Sequence, residues 1–416
     1  MNSYHTIIIG GGLAGLSCAR KLTAAGKNVL LLEATDRVGG RVRSDVVDGF
    51  TLDHGFQVLL TEYPACRDLL DYKALRLRPF EPGAAVRFAG KTSVLGDPWR
   101  RPLQSIRGAL SPIGTLGDKL RIAKLRAASK RGTLAELYSR PQQSTLQRLK
   151  DDGFTDAMID QFFRPFLGGV FLDESLATSS RMLEFVFRMF ASGDIAVPAD
   201  GMGAIPRQLA DGLPQGTVRC QATVGSLTDR TIQLTNNEEL QAEHIVIATE
   251  SSAAARLLGT ESIDTTWNSA TTFYYSAQQS PSQSKLLTLR GDESGPVQST
   301  VVVSNVAPEY APPGKSLITV NVSDDLHEIP TAELDEAIRG QLTTWYGPTV
   351  SRWERLPVYR VPYGLPKMSL DCVKQSADAT DLETVDGVYV CGDHRETPSI
   401  QGAMNSGLRT ADAILK

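Results

Sequence analysis

Three glycines and one acid near the start of the chain are spaced to bind a phosphate-rich ligand. Gly10, Gly12 and Gly15 sit in "GGGLAG", and Glu33 closes the next apolar run. A glycine at position 10 permits a tight turn. One at 12 lets bare backbone approach a pyrophosphate, and one at 15 lets a helix pack close to a strand. Glu33 can accept hydrogen bonds from ribose hydroxyls. A second pair of groups follows in "RVGGRV", where Gly40 precedes Arg41, and a third near the far end, where Gly392 and Asp393 sit in "VYVCGDHRE".

These residues need particular elements to hold them. "HTIIIG" reads as a buried parallel strand, "LAGLSCARKLTAAG" as a helix stopped by Gly26, and "NVLLLE" as a second strand. The helix start then offers free N–H groups and partial positive charge to the phosphates. The stretch from 205 to 249 alternates β-rich runs with polar turns and ends in the apolar "HIVIAT", a β-meander followed by a parallel strand. "GVYVCGDHRETPSIQGAMNSGLRTADAIL" reads as strand, Gly-Asp turn, loop and helix.

Taken together, the glycine turn, the "GGR" element, "DGFTLDHGFQVLL" and the Gly-Asp turn resemble the flavin-containing amine oxidase superfamily, which includes carotenoid (phytoene) desaturases and protoporphyrinogen oxidases. The resemblance implies noncovalently bound FAD. It places Arg41 by the diphosphate, a backbone contact from Val224 at the adenine, and Asp393 at the ribityl–phosphate region. Gly40, Gly392, Gln401 and Ala403 complete the implied cofactor set. The expected fold is α/β: a Rossmann-like FAD-binding domain of glutathione-reductase type with a β-meander, plus a discontinuous α+β substrate domain. Residues 1–75, 196–255 and 361–416 are assigned to the first, and 76–195 and 256–360 to the second.

In this superfamily the flavin carries the chemistry. No catalytic triad is visible, and the candidate catalytic groups are His54 and His394, which lie inside two of the motifs. The substrate reading rests on departures from the amine-oxidase pattern. Ser399 occupies the slot where those enzymes carry a tyrosine. "CGD" and "PADGMGAIPRQLA" are closer to carotenoid desaturases and hydroxysqualene dehydroxylases. That implies a small hydrophobic, isoprenoid-like substrate, dehydrogenated by hydride transfer. Phe162, Phe163, Phe166, Phe171, Phe185, Phe187 and Phe190 could wall its tunnel, or simply pack helices. An amine or a porphyrinogen is the alternative substrate, and a non-catalytic FAD-binding scaffold or sensor the alternative role.

Composition narrows the rest. Hydrophobic residues are 41% and charged residues 22% of the chain, ordinary for a globular protein. A net charge of -4 argues against nucleic acid as a partner. Cys18, Cys66, Cys220, Cys372 and Cys391 show no C-x-x-C spacing, so no disulfide framework or zinc cluster is expected, in keeping with a reducing, cytoplasmic setting. Cys391 lies on an apolar strand and reads as core, not as a covalent flavin link. His5, His54, His244, His327 and His394 have no metal-ligand spacing, and no metal is expected. No signal peptide and no membrane span is seen. Residues 100–131 are rich in Lys and Arg, with a partial apolar stripe of Leu116, Leu120, Ala123 and Ala127. Such a segment could rest on an anionic bilayer as a peripheral contact.

Overall fold

Apolar runs without polar alternation form the centre of the first sheet, as strands covered on both faces require. The computed structural model describes residues 4–96, 100, 112–323, 326, 328–368, 383–385 and 387–416. His327, Cys372 and the 101–111 part of the basic segment lie outside the described residues. In the first, eight-stranded sheet, Val218–Arg219, Val29–Leu32, Tyr4–Ile9, Glu239–Ile247 and Val388–Val390 lie side by side and run parallel. Val224–Thr228 and Thr231–Leu234 fold back antiparallel onto Glu239–Ile247 as the meander. Ile7, Ile9, Leu30, Ile245 and Ile247 build the core on one face, while Ile8, Leu31 and Val246 join the larger core on the other.

The helices Leu13–Ala24 and Ile400–Ile414 pack against each other on that larger core, and they approach closely. A Cβ at Gly407 would lie 2.1 Å from the Ala14 carbonyl oxygen. The two cofactor motifs are therefore neighbours although they lie far apart in the chain.

A second eight-stranded sheet runs in the order Glu354–Arg355, Trp267–Ala277, Ser316–Val322, Val297–Val302, Leu287–Leu289, Gly83–Phe88 and Lys91–Gly96, with Tyr359–Pro366 also paired to Trp267–Ala277. Its side chains alternate with the strand period. Phe273, Tyr275, Ile318 and Val320 pack beneath the helix Thr331–Tyr346, while Tyr274, Leu317 and Val301 face the larger core. Helices between Leu116 and Ser192 cover that inner side. The boundary expected at 361 falls inside the strand Tyr359–Pro366, whose partner is in this second sheet. No helix among the described residues is long and apolar enough to cross a membrane.

Candidate active site

Parallel strands end in a row at Gly10, Glu33, Ala248 and Gly392, and a cavity of about 940 Å³ opens beyond them. This is the crevice outside the carboxyl ends of the strands where ligands of such sheets bind. Gly10 has φ +113°, and a Cβ there would lie 2.7 Å from the Ala248 carbonyl oxygen. A Cβ at Gly15 would lie 2.1 Å from the Gly10 carbonyl oxygen, so helix and strand touch through backbone. Gly12 lines the cavity, and no atom lies within 4 Å of where its Cβ would be. Gly12 is also the helix N-cap and supplies no side-chain bond, so the first N–H groups of Leu13–Ala24 are open to an anion. A cradle of open backbone at a helix start fits a dinucleotide diphosphate.

Glu33 lines the cavity but is largely committed to the protein. Its Oε2 accepts the Gly11 N–H at 2.8 Å, and its Oε1 accepts the Thr35 N–H at 2.9 Å and the Thr35 hydroxyl at 2.8 Å. A carboxylate has about four acceptor positions. Three are used, which leaves one for a ribose hydroxyl while the other three hold the turn.

Arg41 and Asp393 both line the cavity, as do Gly40, Val224, Gly392 and Ala403. The resemblance gives each member of the charged pair its own cofactor contact. The structure joins them to each other: Arg41 Nη1 donates to Asp393 Oδ2 at 2.8 Å, and Nη2 to Oδ1 at 2.5 Å. Nη1 also donates to the Gly364 carbonyl at 2.9 Å, and the guanidinium lies 5.0 Å from the Trp267 ring centroid. One planar fork thus ties the two cofactor motifs to the second sheet.

Two residues expected at the site are elsewhere. Gln401 does not line the cavity; its Oε1 accepts the Ala65 N–H at 2.9 Å, because the amide faces into the protein from the first turn of the last helix. His394 is 2% exposed and also lies off the cavity wall; burial lowers its pKa to about 4, so it is a neutral imidazole near neutrality. Of the seven phenylalanines, Phe166 and Phe190 line the cavity. Phe163, Phe171, Phe185 and Phe187 are buried in the core, and Phe162 stacks on Phe166 at 5.5 Å. Cys391 is fully buried and absent from the wall, and burial pushes its thiol up to about 12.

His54 does line the cavity. Its Nε2 lies 2.8 Å from Asp45 Oδ2, and its ring sits 4.6 Å from Tyr359, whose hydroxyl donates to the same carboxylate oxygen. Burial pushes the Asp45 carboxyl up, but hydrogen bonds from Tyr359, His54 and Arg37 outweigh it and hold it near about 2. Asp45 and Tyr359 carry no motif and were not foreseen. Neither was the polar character of two lining side chains, Gln57 and Thr271. Gln57 Oε1 and Thr271 Oγ1 are buried and accept or donate nothing within the described protein, so each is available to a bound group.

The segment His54–Val58 is anchored by Asp53, which is 4% exposed. Asp53 Oδ1 accepts from Ser44 Oγ at 2.5 Å and from the Met202 N–H at 2.9 Å, and Oδ2 accepts from the Tyr310 hydroxyl at 2.9 Å. The Tyr274 hydroxyl donates to the Asp53 carbonyl at 2.9 Å. Burial raises the carboxyl to about 6 against the pull of these donors. The unfolded value is about 3.9. A folded pKa above the unfolded one means stability that is full below about pH 4 and is lost as pH rises through about 6, amounting to ~3 kcal/mol. Denaturant unfolding of the wild type and Asp53→Asn should therefore give a stability difference that shifts by ~3 kcal/mol in favour of the variant between about pH 4 and 7. A difference that stays constant across that range would show that Asp53 titrates normally.

A family model described as flavin containing amine oxidoreductase matches residues 13–415. Among curated relatives, putrescine oxidase of Kocuria rosea is 46% identical over 65 residues, which is 16% of this chain and 14% of that protein. Protoporphyrinogen oxidase 2, chloroplastic/mitochondrial, of Arabidopsis thaliana is 27% identical over 181 residues, or 41% of this chain and 33% of that protein. These alignments span a third or less of the relatives' lengths. A solved wild-type putrescine oxidase bound to putrescine superposes with a TM-score of 0.73 at 18% identity, covering 100% of this chain and 99% of that one, which is a likeness of fold.

Proposed function

Because the chain belongs to the flavin-containing amine oxidoreductase family, we propose that it is an FAD-dependent oxidoreductase that dehydrogenates an uncharged, isoprenoid-like substrate. The observation that carries this reading is the lining of the cavity beyond the glycine turn. Val58, Phe80, Phe166, Val170, Met182 and Phe190 form apolar wall there. Among the described lining residues, the charged ones are Glu33, Arg41, Glu250, Arg256 and Asp393 around the cofactor motifs, with Glu81 beyond them. A porphyrinogen bears carboxylates and would need basic partners in the substrate half. An amine would be held by an aromatic cage of two facing rings. The lining aromatic pairs are edge-on or tilted: Phe56–Phe80 at 82° and Phe166–Phe190 at 48°. Ser399, in the tyrosine's slot, caps the last helix by accepting the Gly402 N–H at 3.0 Å. That this apolar wall continues the cavity beyond the cofactor motifs also argues for turnover over a scaffold role.

FAD, when bound, accepts a hydride equivalent at N5. The chain's own part is binding, orientation and exclusion of water. Open backbone at Gly12 and the helix start would hold the diphosphate, and Glu33 would hold the ribose. Apolar wall binds the substrate chain at about 25 cal/mol per Å² of area buried and keeps solvent from the reacting carbon. His54, which lines the cavity and is oriented by Asp45, is the imidazole we assign to take a proton from the carbon next to the one oxidised.

Substrate entry is proposed from an anionic bilayer. On the helix Leu116–Ser129, Leu116 is 70% and Leu120 73% exposed, in line with exposed Lys124, Ala127, Lys130 and Arg131. Arg126 of the same helix donates to the Ala191 carbonyl on the helix Ser180–Ser192, whose Met182, Val186 and Phe190 line the cavity. Apolar residues flanked by bases suit a membrane bearing negative headgroups.

One experiment tests both parts. Under anaerobic conditions, the flavin absorbance should bleach with a polyprenyl chain and not with putrescine or a porphyrinogen. Bleaching should be faster when the chain is supplied in anionic than in zwitterionic vesicles, an advantage lost in Leu116→Ser/Leu120→Ser. Bleaching by the diamine alone would overturn the substrate reading. Equal rates in both vesicles would overturn the entry route.

A further inference from the structure

Spacing along the chain hides a cluster that the sheet assembles. Tyr4–Ile9 and Glu239–Ile247 pair in parallel with Thr6 opposite His244. His5 therefore comes beside Glu243 and His244 from across the chain. One ligand atom from each of His5, Glu243 and His244 lies within 4.8 Å of the others, and the two imidazole centroids are 5.1 Å apart. We propose that His5, Glu243 and His244 form a binding site for a borderline divalent cation of the Zn²⁺ class.

Two imidazoles and one carboxylate are a common zinc donor set, with solvent completing the tetrahedron. The group is partly open: His5 and His244 are half-buried, and Glu243 is exposed, so an ion can enter. His5 Nδ1 lies 2.9 Å from the hydroxyl of Thr6, a fully buried residue. A proton on Nδ1, donated to that oxygen, leaves the lone pair on Nε2 and fixes the ring, as an outer partner of a metal ligand does. Glu243 supplies the negative charge of the donor set, while Lys27 lies close enough to act on His5. Lys27 also opposes a cation, so the affinity should be modest.

The position separates this site from the flavin chemistry. His5 precedes Gly10 by five residues of extended strand, about 16 Å at ~3.3 Å per residue. The cluster sits toward the opposite end of the parallel strands from the glycine turn. A bound ion would clamp two adjacent strands whose residues are far apart in sequence. It would therefore stabilise the folded state increasingly, with the logarithm of free ion concentration, once that exceeds the dissociation constant, without touching the cofactor.

The test is competition between the untagged, FAD-loaded protein and a chromophoric chelator for Zn²⁺. The wild type should take one equivalent, and its unfolding temperature should rise with added Zn²⁺. Loss of an outer-sphere partner costs about 10- to 100-fold in metal affinity, so losing a ligand should cost about 100-fold or more. His5→Ala and His244→Ala should show that loss with an unchanged flavin spectrum. Glu243→Gln, at an exposed position, should show a smaller loss and cannot be dismissed as misfolding. No competition by the wild type, or an affinity unchanged in all three variants, overturns the proposal.

Discussion

Arg41→Ala should lower the stability of the protein by about 3–5 kcal/mol and leave it largely without FAD. The magnitude follows from what remains. The Asp393 side chain is 4% exposed, and Arg41 supplies both of its charged donors. Removing the guanidinium leaves a buried carboxylate unpaired, which costs far more than the net worth of the pair. It also frees the Gly364 carbonyl and uncovers Trp267. A mere surface charge would instead cost ~1 kcal/mol or less. Denaturant unfolding and the ratio of visible to ultraviolet absorbance read the two effects. Adding Asp393→Asn to Arg41→Ala should recover part of the stability, because the stranded charge is gone, but not the FAD content. Stability within ~1 kcal/mol of wild type in the single variant would show that the pair is not structural.

Gly15→Val should yield colourless protein, or none that folds. The first added carbon would lie 2.1 Å from the Gly10 carbonyl oxygen, which is backbone and cannot rotate away. The Ile8 side chain and Ala248 Cβ close the remaining sides at 3.2 and 3.3 Å. The helix Leu13–Ala24 must then lift from the sheet, carrying its N-terminal N–H groups away from the diphosphate. Overpacking of this kind typically costs 1–3 kcal/mol where side chains can yield, and more is expected here because backbone is the obstacle. Gly12→Ala is the matched control. Nothing lies within 4 Å of that position, so the chain should fold with normal secondary structure and lose FAD affinity only through contact with the ligand itself. A yellow Gly15→Val protein with normal affinity would refute the close-packing role.

What was legible in the sequence was what is local. The glycine turn, the acid after the second strand and the meander are each decided within a few residues of themselves, by spacing and by alternation. What was not legible joins distant positions. Arg41 meets Asp393 across 352 residues, Tyr310 meets Asp53 across 257, and Tyr359 meets Asp45 across 314. No local period records such pairs. The same holds for Gln401, whose amide is taken by Ala65 across 336 residues. It holds too for the boundary at 361, since the strand there is assigned by its partner at Trp267–Ala277 and not by its own composition. Cavity wall and core are both apolar, which is why Phe166 and Phe190 could not be told from Phe163 and Phe185 before the helices were placed.

The pairing of Arg41 with Asp393 also sets a clock. As the chain leaves the ribosome, the glycine turn is made early, but 352 further residues separate its arginine from the carboxylate that anchors it. At roughly 5–20 residues per second, that is a delay of about 20–70 s. Throughout it the helix Leu13–Ala24 lacks its partner Ile400–Ile414, and the parallel strand Glu239–Ile247, once made, waits about 140 further residues, or about 7–30 s, for its neighbour Val388–Val390. The nascent chain must therefore carry an uncovered apolar helix face for most of its synthesis, and an unfinished sheet edge for the last third of it. The Arg41–Asp393 pair cannot form before then, and a holdase chaperone has tens of seconds in which to act.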